Sequence, residues 1–455
     1  MKTLTHAEWQ HHAGEFIALW TDLANAYALY APGELVVTAL DNGAYPALAA
    51  PGAAWFQRLA HDMHGAVATG ATDTRPVIEH FRAPDGTAAW PEFPHPAGVG
   101  VHQVGVGPVH AGIIEPGHFR FSVIGEQILR LEARLGYSHK GTLALMRGKS
   151  PRLAARFAAR ISGDATVAHS LAFAHAAEAA LGIAVPARAI RLRAVMAELE
   201  RLANHAGDIA AIGGDAGFAF LDARFSAQRE NLCAAAAAAF GHRLMMDIVI
   251  PGGIAGDLAT NGAAAIETAL AAFEREMPSL TRVFETSASL QDRLVGTGTV
   301  PAALAALWGL GGVVGRASGQ AADARVSPGY APYDGLGLTI PVETEGDIAA
   351  RVRVKLAEIT ASFALIRACL ADLPDTAIAI APDSGTGAGL GVAESFRGPV
   401  WTWLRLESGA IADIFVADPS FRLWPVLEQA ALTGILADFP LINKSINASY
   451  SGVDL

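Results

Sequence analysis

The chain has 455 residues, 52% of them hydrophobic and 17% charged, with a formal net charge of −11. That length exceeds one ordinary hydrophobic core, so two or more domains are expected. The acidic balance and the lack of any Lys/Arg run argue against nucleic acid as a partner.

So apolar a balance points either to surface buried against partner subunits or to one large alanine-rich core. The N-terminal MKTLTHAEWQHHAGEF shows no apolar signal core or cleavage site. The uncharged stretch 294–315 is broken by Gly296, Gly298, Pro301, Gly309, Gly311 and Gly312. It reads as a buried helix and turn, not a membrane span. The two cysteines, Cys233 and Cys369, have no cysteine neighbour at metal spacing, so they read as small buried apolar residues in a cytosolic protein.

In chain order, residues 1–97 form a small α/β module. Phe16, Leu19, Trp20, Leu23 and Tyr27 recur at three and four, which predicts a helix over 8–30. A strand over 34–41 and a helix over 54–65 follow, then loop and linker over 73–80 and 90–96. His61, Asp62 and His64 form the most compact polar cluster. A metal site and a helix-end ion-pair or capping role are both open, the latter being the more ordinary.

Residues 98–455 form the second unit. Strands are expected over 101–106, 118–124 and 127–135, around an irregular loop at 107–117. From Thr142 onward the pattern is helical, with helices over 186–212, 225–246, 264–290, 345–373 and 423–433. In the first of these, Glu198, Glu200 and Arg201 fall on or near the side opposite the apolar stripe. Residues 248–256 suggest a strand or turn, and 401–416 alternates like a hairpin with Ser408 and Gly409 at its turn. The fold class is α+β: the α/β module, then a mainly α-helical domain with small peripheral sheets.

Several short motifs stand in a fixed order in this second unit. They are GPVHAGIIEPG at 107–117, YSHKG at 137–141, RISGDATVAHS at 160–170, ELERLANH at 198–205, RASG at 316–319 and ESFRG at 394–398. Residues 333–341, Gly346 with Asp347, and Val453 with Asp454 complete the set. Together they resemble the large subunit of membrane-bound, energy-converting [NiFe]-hydrogenases, a fold that also serves as the quinone-site subunit of respiratory complex I. Residues 55–65 and DTRP at 73–76 are similar to the small complex I subunit that often precedes the quinone-site subunit as a fused N-terminal domain.

The resemblance implies a nickel held by two Cys-x-x-Cys pairs, since soft thiolates suit that metal. At the matching positions stand Ser162, Ala165, Ser449 and Gly452, so no nickel is expected. The proton-relay glutamate of that pattern matches Leu143, which carries no proton. Arg397 and His169 match residues that line the hydrogenase cavity.

In the complex I branch the resemblance implies a quinone held between a loop histidine and a tyrosine. His110 matches the first loop histidine, and the second falls near Pro116, with His118 close by. The tyrosine position is Pro151, which cannot donate a proton. His118, Glu115 and Tyr450 are the candidate substitutes, giving His110, His118 and Tyr450 as an acceptor pocket.

Asp164 stands between the two lost thiolates. It is expected either to cap a helix over 165–181 or to pair in the old cavity with Arg397 or His169. The cavity group is thus Asp164, His169 and Arg397.

The expectation is a nickel-free large subunit of a membrane-associated, ion-translocating redox complex of the NADH dehydrogenase family. It would bind no cofactor itself, receive electrons from a [4Fe-4S] partner subunit and pass them to a quinone or other acceptor. Membrane subunits would move the ions, and the chain would sit peripherally on the cytoplasmic side of the inner membrane. The other reading is a structural subunit clamping the iron–sulfur subunit to the membrane arm.

Overall fold

The computed structural model describes residues 1–78, 93–381 and 384–455. Parts of two expected loops, 79–80 and 90–92, lie outside them. The first unit opens with β1 (Lys2–Thr3) and α1 (His6–Gln10), which begins in a capping box between Thr5 and Glu8. β2 (Phe16–Thr21), β3 (Asn25–Tyr30) and β4 (Glu34–Ala39) complete a sheet of order β1-β4-β3-β2.

The helix expected over 8–30 is therefore mostly a hairpin. Every residue of β2 is buried, so its apolar run carries no single-face signal, and spacings of three and four arise by default. The turn is set by Asp22, whose carboxylate accepts the backbone N–H groups of Ala24 and Asn25. Next come β5 (Ala44–Pro46), α2 (Ala53–His64) and β6 (Val67–Thr69).

In the second unit β7 (Val101–Val106), β8 (His118–Ile124) and β9 (Gln127–Arg134) form an antiparallel sheet, as the alternation predicts. Helices α3 (Thr142–Met146), α4 (Pro151–Ala158), α5 (Thr166–Leu181), α6 (Ala187–Asp215) and α7 (Ala219–Phe240) follow. α7 stops short of the expected end because Gly241 adopts the left-handed cap conformation. After the small hairpin β10 (Val249–Ile250) and β11 (Gly253–Ile254) comes α8 (Gly262–Thr286). The expected helix over 264–290 is broken at Ser287, after which α9 (Ala288–Leu294) starts anew. α10 (Ala302–Leu307), α11 (Gly312–Ala317) and α12 (Ile348–Ala371) lead to the C-terminal sheet. Among the described residues no helix is long and apolar enough to cross a membrane.

That sheet is β12 (Gly387–Ser395), β13 (Gly398–Glu407) and β14 (Ala410–Ala417), with Ser408 and Gly409 at the expected turn. The sequence pattern does not reveal β12, because glycine replaces the apolar residues on one face. The reason is a close approach: a Cβ at Gly387, Gly389 or Gly391 would lie 2.0–2.3 Å from a carbonyl oxygen of α5. Only a bare backbone lets α5 lie directly on β12. The chain ends with α13 (Ser420–Ala430), α14 (Phe439–Ile446) and α15 (Ser451–Asp454).

The first unit is tied to this sheet by aromatic packing. Trp20 stacks on Phe415 at 5.2 Å between centroids, and Tyr27 lies 4.8 Å from Trp403. α6, α7, α8 and α12 pack on one another as the helical core. Through it run the fully buried Glu198, Arg201, Arg316, Asp323, Arg325, Glu358 and Glu394. Glu198 and Arg201 thus sit inside the bundle, not on its polar flank, because each has partners there. Arg325 meets Glu198 at 3.1 Å and Arg316 meets Glu358 at 2.7 Å.

Candidate functional site

The four positions that match the nickel ligands converge. α4 and the turn after it carry Ser162, and the segment between α14 and α15 carries Ser449. Their hydroxyl oxygens lie 2.8 Å apart in a buried hydrogen bond. The backbone N–H of Gly452 donates to Ser449 Oγ at 3.0 Å. Ala165 is buried beside them.

These residues do not fit nickel. Two hydroxyls bond to each other, and a methyl and a glycine offer no donor. A Cβ at Gly452 would lie 2.8 Å from Asp418 Cγ, so a carboxylate fills the space a cysteine there would enter. Among the described residues no group of three or more His, Cys, Asp or Glu side chains could hold a metal ion. In the last turn of α2, His61 meets Asp62 at 3.8 Å in the helix-end ion-pair arrangement, while Asp62 also accepts the N–H groups of Val77 and Ile78, and His64 turns to Thr21 and Arg147.

Arg397 occupies the two-residue turn between β12 and β13. That turn is held by Ser395, whose hydroxyl accepts Arg397 N–H and donates to the Gly398 carbonyl. The guanidinium binds Asp164 through two parallel hydrogen bonds of 2.8 and 2.5 Å and also donates to the Asn447 carbonyl. Ser162 adds a third hydrogen bond to Asp164, at 3.0 Å. Burial works against ionising Asp164, but the charge and hydrogen bonds of Arg397 outweigh it and hold the carboxyl at about 2.

Asp164 does not cap α5. The N-cap residue is Ala165, without a side-chain hydrogen bond. Instead Glu200, on α6, accepts the N–H groups of Val167 and Ala168 at 2.6 and 3.0 Å. Capping from another element frees Asp164 for Arg397. Burial pushes the Glu200 carboxyl up to about 8 despite these two donors.

His169 lies one turn into α5 and bonds Asp418 Oδ2 at 2.9 Å, both fully buried. It does not reach Asp164. Burial alone would raise the Asp418 carboxyl, but His169 and Arg397 hold it below the ordinary range. Behind Arg397, Asn447 donates from its amide to Asp208 at 2.7 Å, and Asp208 pairs with the buried Lys355. Burial lowers the Lys355 pKa, with Arg351 and Arg397 adding to the shift. Nothing local in the sequence marks Asp208, Lys355, Asp418 or Asn447, because each partner comes from a distant element.

The expected acceptor residues divide. His110 and Tyr450 come together, with the Tyr450 hydroxyl 3.5 Å from His110 Nε2 and the rings 6.0 Å apart. Tyr450 is buried against Trp424 at 4.7 Å, and His110 is half-buried in the 107–117 loop. Glu115 ties that loop down by accepting Ser451 N–H at 2.9 Å. His118 turns elsewhere: Nδ1 faces the Gly107 carbonyl at 3.3 Å and the ring lies beside Phe93. It has left the group because it begins β8, where alternation puts it on the opposite face from Phe119, whose ring packs against His110 and Tyr450. Leu143 is fully buried in α3, and Pro151 opens α4. The two groups meet along the chain at Ser449 and Tyr450.

Comparison with known proteins identifies the family. The sequence profile described as "Respiratory-chain NADH dehydrogenase, 49 Kd subunit" matches residues 215–388, and that of "Nickel-dependent hydrogenase" matches residues 140–207. The "Carbon monoxide-induced hydrogenase" of Rhodospirillum rubrum is 29% identical over 77% of this chain and 98% of its own length. "Hydrogenase-4 component G" of Escherichia coli K12 is 27% identical, over 92% of this chain and 78% of its own. An NADH-quinone oxidoreductase subunit of Salinispora arenicola is 30% identical over 60% of this chain and 72% of its own. The chain therefore belongs to the family that unites this respiratory-chain NADH dehydrogenase subunit with the large subunits of membrane-bound hydrogenases.

Proposed function

We propose that this chain is the nickel-free large subunit of a membrane-associated, ion-translocating redox complex. It takes electrons from a [4Fe-4S] subunit docked beside it and delivers them to a quinone or similar acceptor. Membrane subunits move the ions, and the chain is peripheral, on the cytoplasmic side. Residues 1–97 act as its docking module, in the manner of the small complex I subunit they resemble.

The observation that carries this reading is the approach of Tyr450 to His110. Reducing a quinone to a quinol takes two electrons, from the partner's clusters, and two protons, from donors within hydrogen-bond reach. A phenol and an imidazole at 3.5 Å supply such donors at the loop 107–117, which also exposes Val109 and Ile113. Burial pushes the Tyr450 hydroxyl up to about 12, which keeps it protonated and able to donate. Asp164 and Arg397 would hold charge behind them, with His169 hydrogen-bonded to Asp418 alongside.

A second reading, a non-catalytic clamp, is favoured by the closed packing of Ser162, Ser449, Gly452 and Asp418. The test is stopped-flow reoxidation of the dithionite-reduced complex by decylubiquinone. The redox reading expects quinone-dependent reoxidation of the clusters, slowed about tenfold or more in Tyr450→Phe. Reoxidation with no dependence on quinone leaves the clamp.

A further inference from the structure

Beside Asp164, and away from Tyr450, a cleft of about 100 Å³ opens to solvent between α6, α7 and the turn before α5. That room takes a ligand of about one small ring. Its charged and amide groups are Asp164, Glu200, Asn204, Arg229 and Arg243, and Leu232 and Met245 help form an apolar wall.

Arg229 is the informative group. It is half-buried, and among the described residues it has no hydrogen bond or ion pair. Its stem crosses α6 at Gly207, where a Cβ would lie 2.9 Å from Arg229 Cδ. The glycine lets the side chain lie down into the cleft. The other arginine lining the cleft, Arg243, is neutralised by Glu230 at 2.7 Å, and Arg397 outside it pairs with Asp164. A half-sheltered guanidinium with no counter-charge favours an anion.

The rest of the lining sets the second requirement. The Asp164 side chain is 40% exposed, so its carboxylate keeps accepting capacity facing the cleft. Asn204 spends its amide N–H groups on the carbonyls of Asp164 and Glu200, leaving its oxygen to accept. Both groups call for a hydrogen-bond donor on the ligand.

We propose that this cleft is a binding site for a small monocarboxylate that bears a hydroxyl group on an apolar body. Its carboxylate pairs with Arg229, its hydroxyl donates to Asp164 or Asn204, and its body lies against Leu232 and Met245. The site is separate from the His110 and Tyr450 face, so it stands or falls independently of quinone reduction. Because the hydroxyl reaches Asp164, occupancy bears on the ion pair that holds Arg397.

The probe is 4-hydroxybenzoate, titrated calorimetrically into the full chain and into the assembled complex. Benzoate lacks the hydroxyl and 4-hydroxybenzyl alcohol lacks the charge, and both serve as comparisons. Saturable binding in the millimolar range or tighter is expected, weakened at least about tenfold by Arg229→Met and by omission of the carboxylate, and several-fold by omission of the hydroxyl. Arg229→Gln, which keeps hydrogen bonding without charge, should weaken it similarly, and Ala203→Leu should block it by filling the cleft. No saturable binding to the chain or the complex overturns the proposal. So does binding that Arg229→Met and Arg229→Gln leave unchanged while both variants melt like the wild type.

Discussion

Ser162 and Ser449, 287 residues apart in the chain, share a buried hydrogen bond of 2.8 Å. The resemblance to the hydrogenases matches them to positions from which two thiolates would reach one metal. The fold brings them together, and their hydroxyls bond to each other. Asp418 occupies the space beside Gly452, and His169 holds Asp418 in place. Together these side chains make a packed polar knot.

Reinstating a side chain at Gly452 should therefore overpack the knot. Gly452→Cys is expected to lower stability by about 1–3 kcal/mol, because Asp418 must shift from its partners. Urea unfolding of the full chain measures this. A stability equal to wild type would show that the carboxylate yields freely.

Asp164 should behave as the ionised partner of Arg397. Its carboxyl is depressed to about 2 in the folded state, so its contribution is present above the unfolded value near 4 and is lost as pH falls through about 2. Asp164→Asn should remove that acid-limb dependence and cost about 1–3 kcal/mol at neutral pH, less than a fully buried pair because the side chain faces the cleft. Unfolding midpoints followed from pH 5 to the acid limit would show a curve flatter than wild type.

Glu200 should give the opposite slope. Its carboxyl is raised to about 8 by burial, so its stabilisation is present below the unfolded value near 4.5 and declines as pH rises through about 8. Glu200→Gln should flatten the loss of stability across that window. An unchanged slope would mean that the two N–H groups of α5 keep the carboxylate ionised.

The buried charges of the helical core should be costly to break singly. Arg316 pairs with Glu358, Asp323 and Glu394, and burial together with the Asp323 charge pushes the Glu394 carboxyl up to about 7. Arg316→Met leaves those carboxylates without their shared cation and should cost about 3–5 kcal/mol. Chemical denaturation reads it directly, and a loss below about 1 kcal/mol would show that Arg325 and Arg201 compensate.

Much of this is legible from sequence where the signal is local. The strands Val101–Val106 and His118–Ile124 alternate, and the hairpin turn at Ser408 and Gly409 has its own chemistry. The strand Phe16–Thr21 is not legible, because burial on both faces erases the period that separates strand from helix. β12 is hidden for a related reason, its glycines answering to α5, a helix far away in the chain. At the site, the family resemblance implies that Ser162, Asp164, His169 and Arg397 are neighbours. Which of them pair depends on side chains from other elements: Glu200 displaces Asp164 from the cap, and Asp418 claims His169. Those partners carry no local signal, so only the fold assigns them.

The most direct test is nickel content, measured by mass spectrometry on the complex purified with nickel in the growth medium. A site closed by Ser162, Ser449 and Asp418 predicts nickel far below one equivalent per chain. One full equivalent per chain, lost on Ser162→Ala with Ser449→Ala, would contradict it.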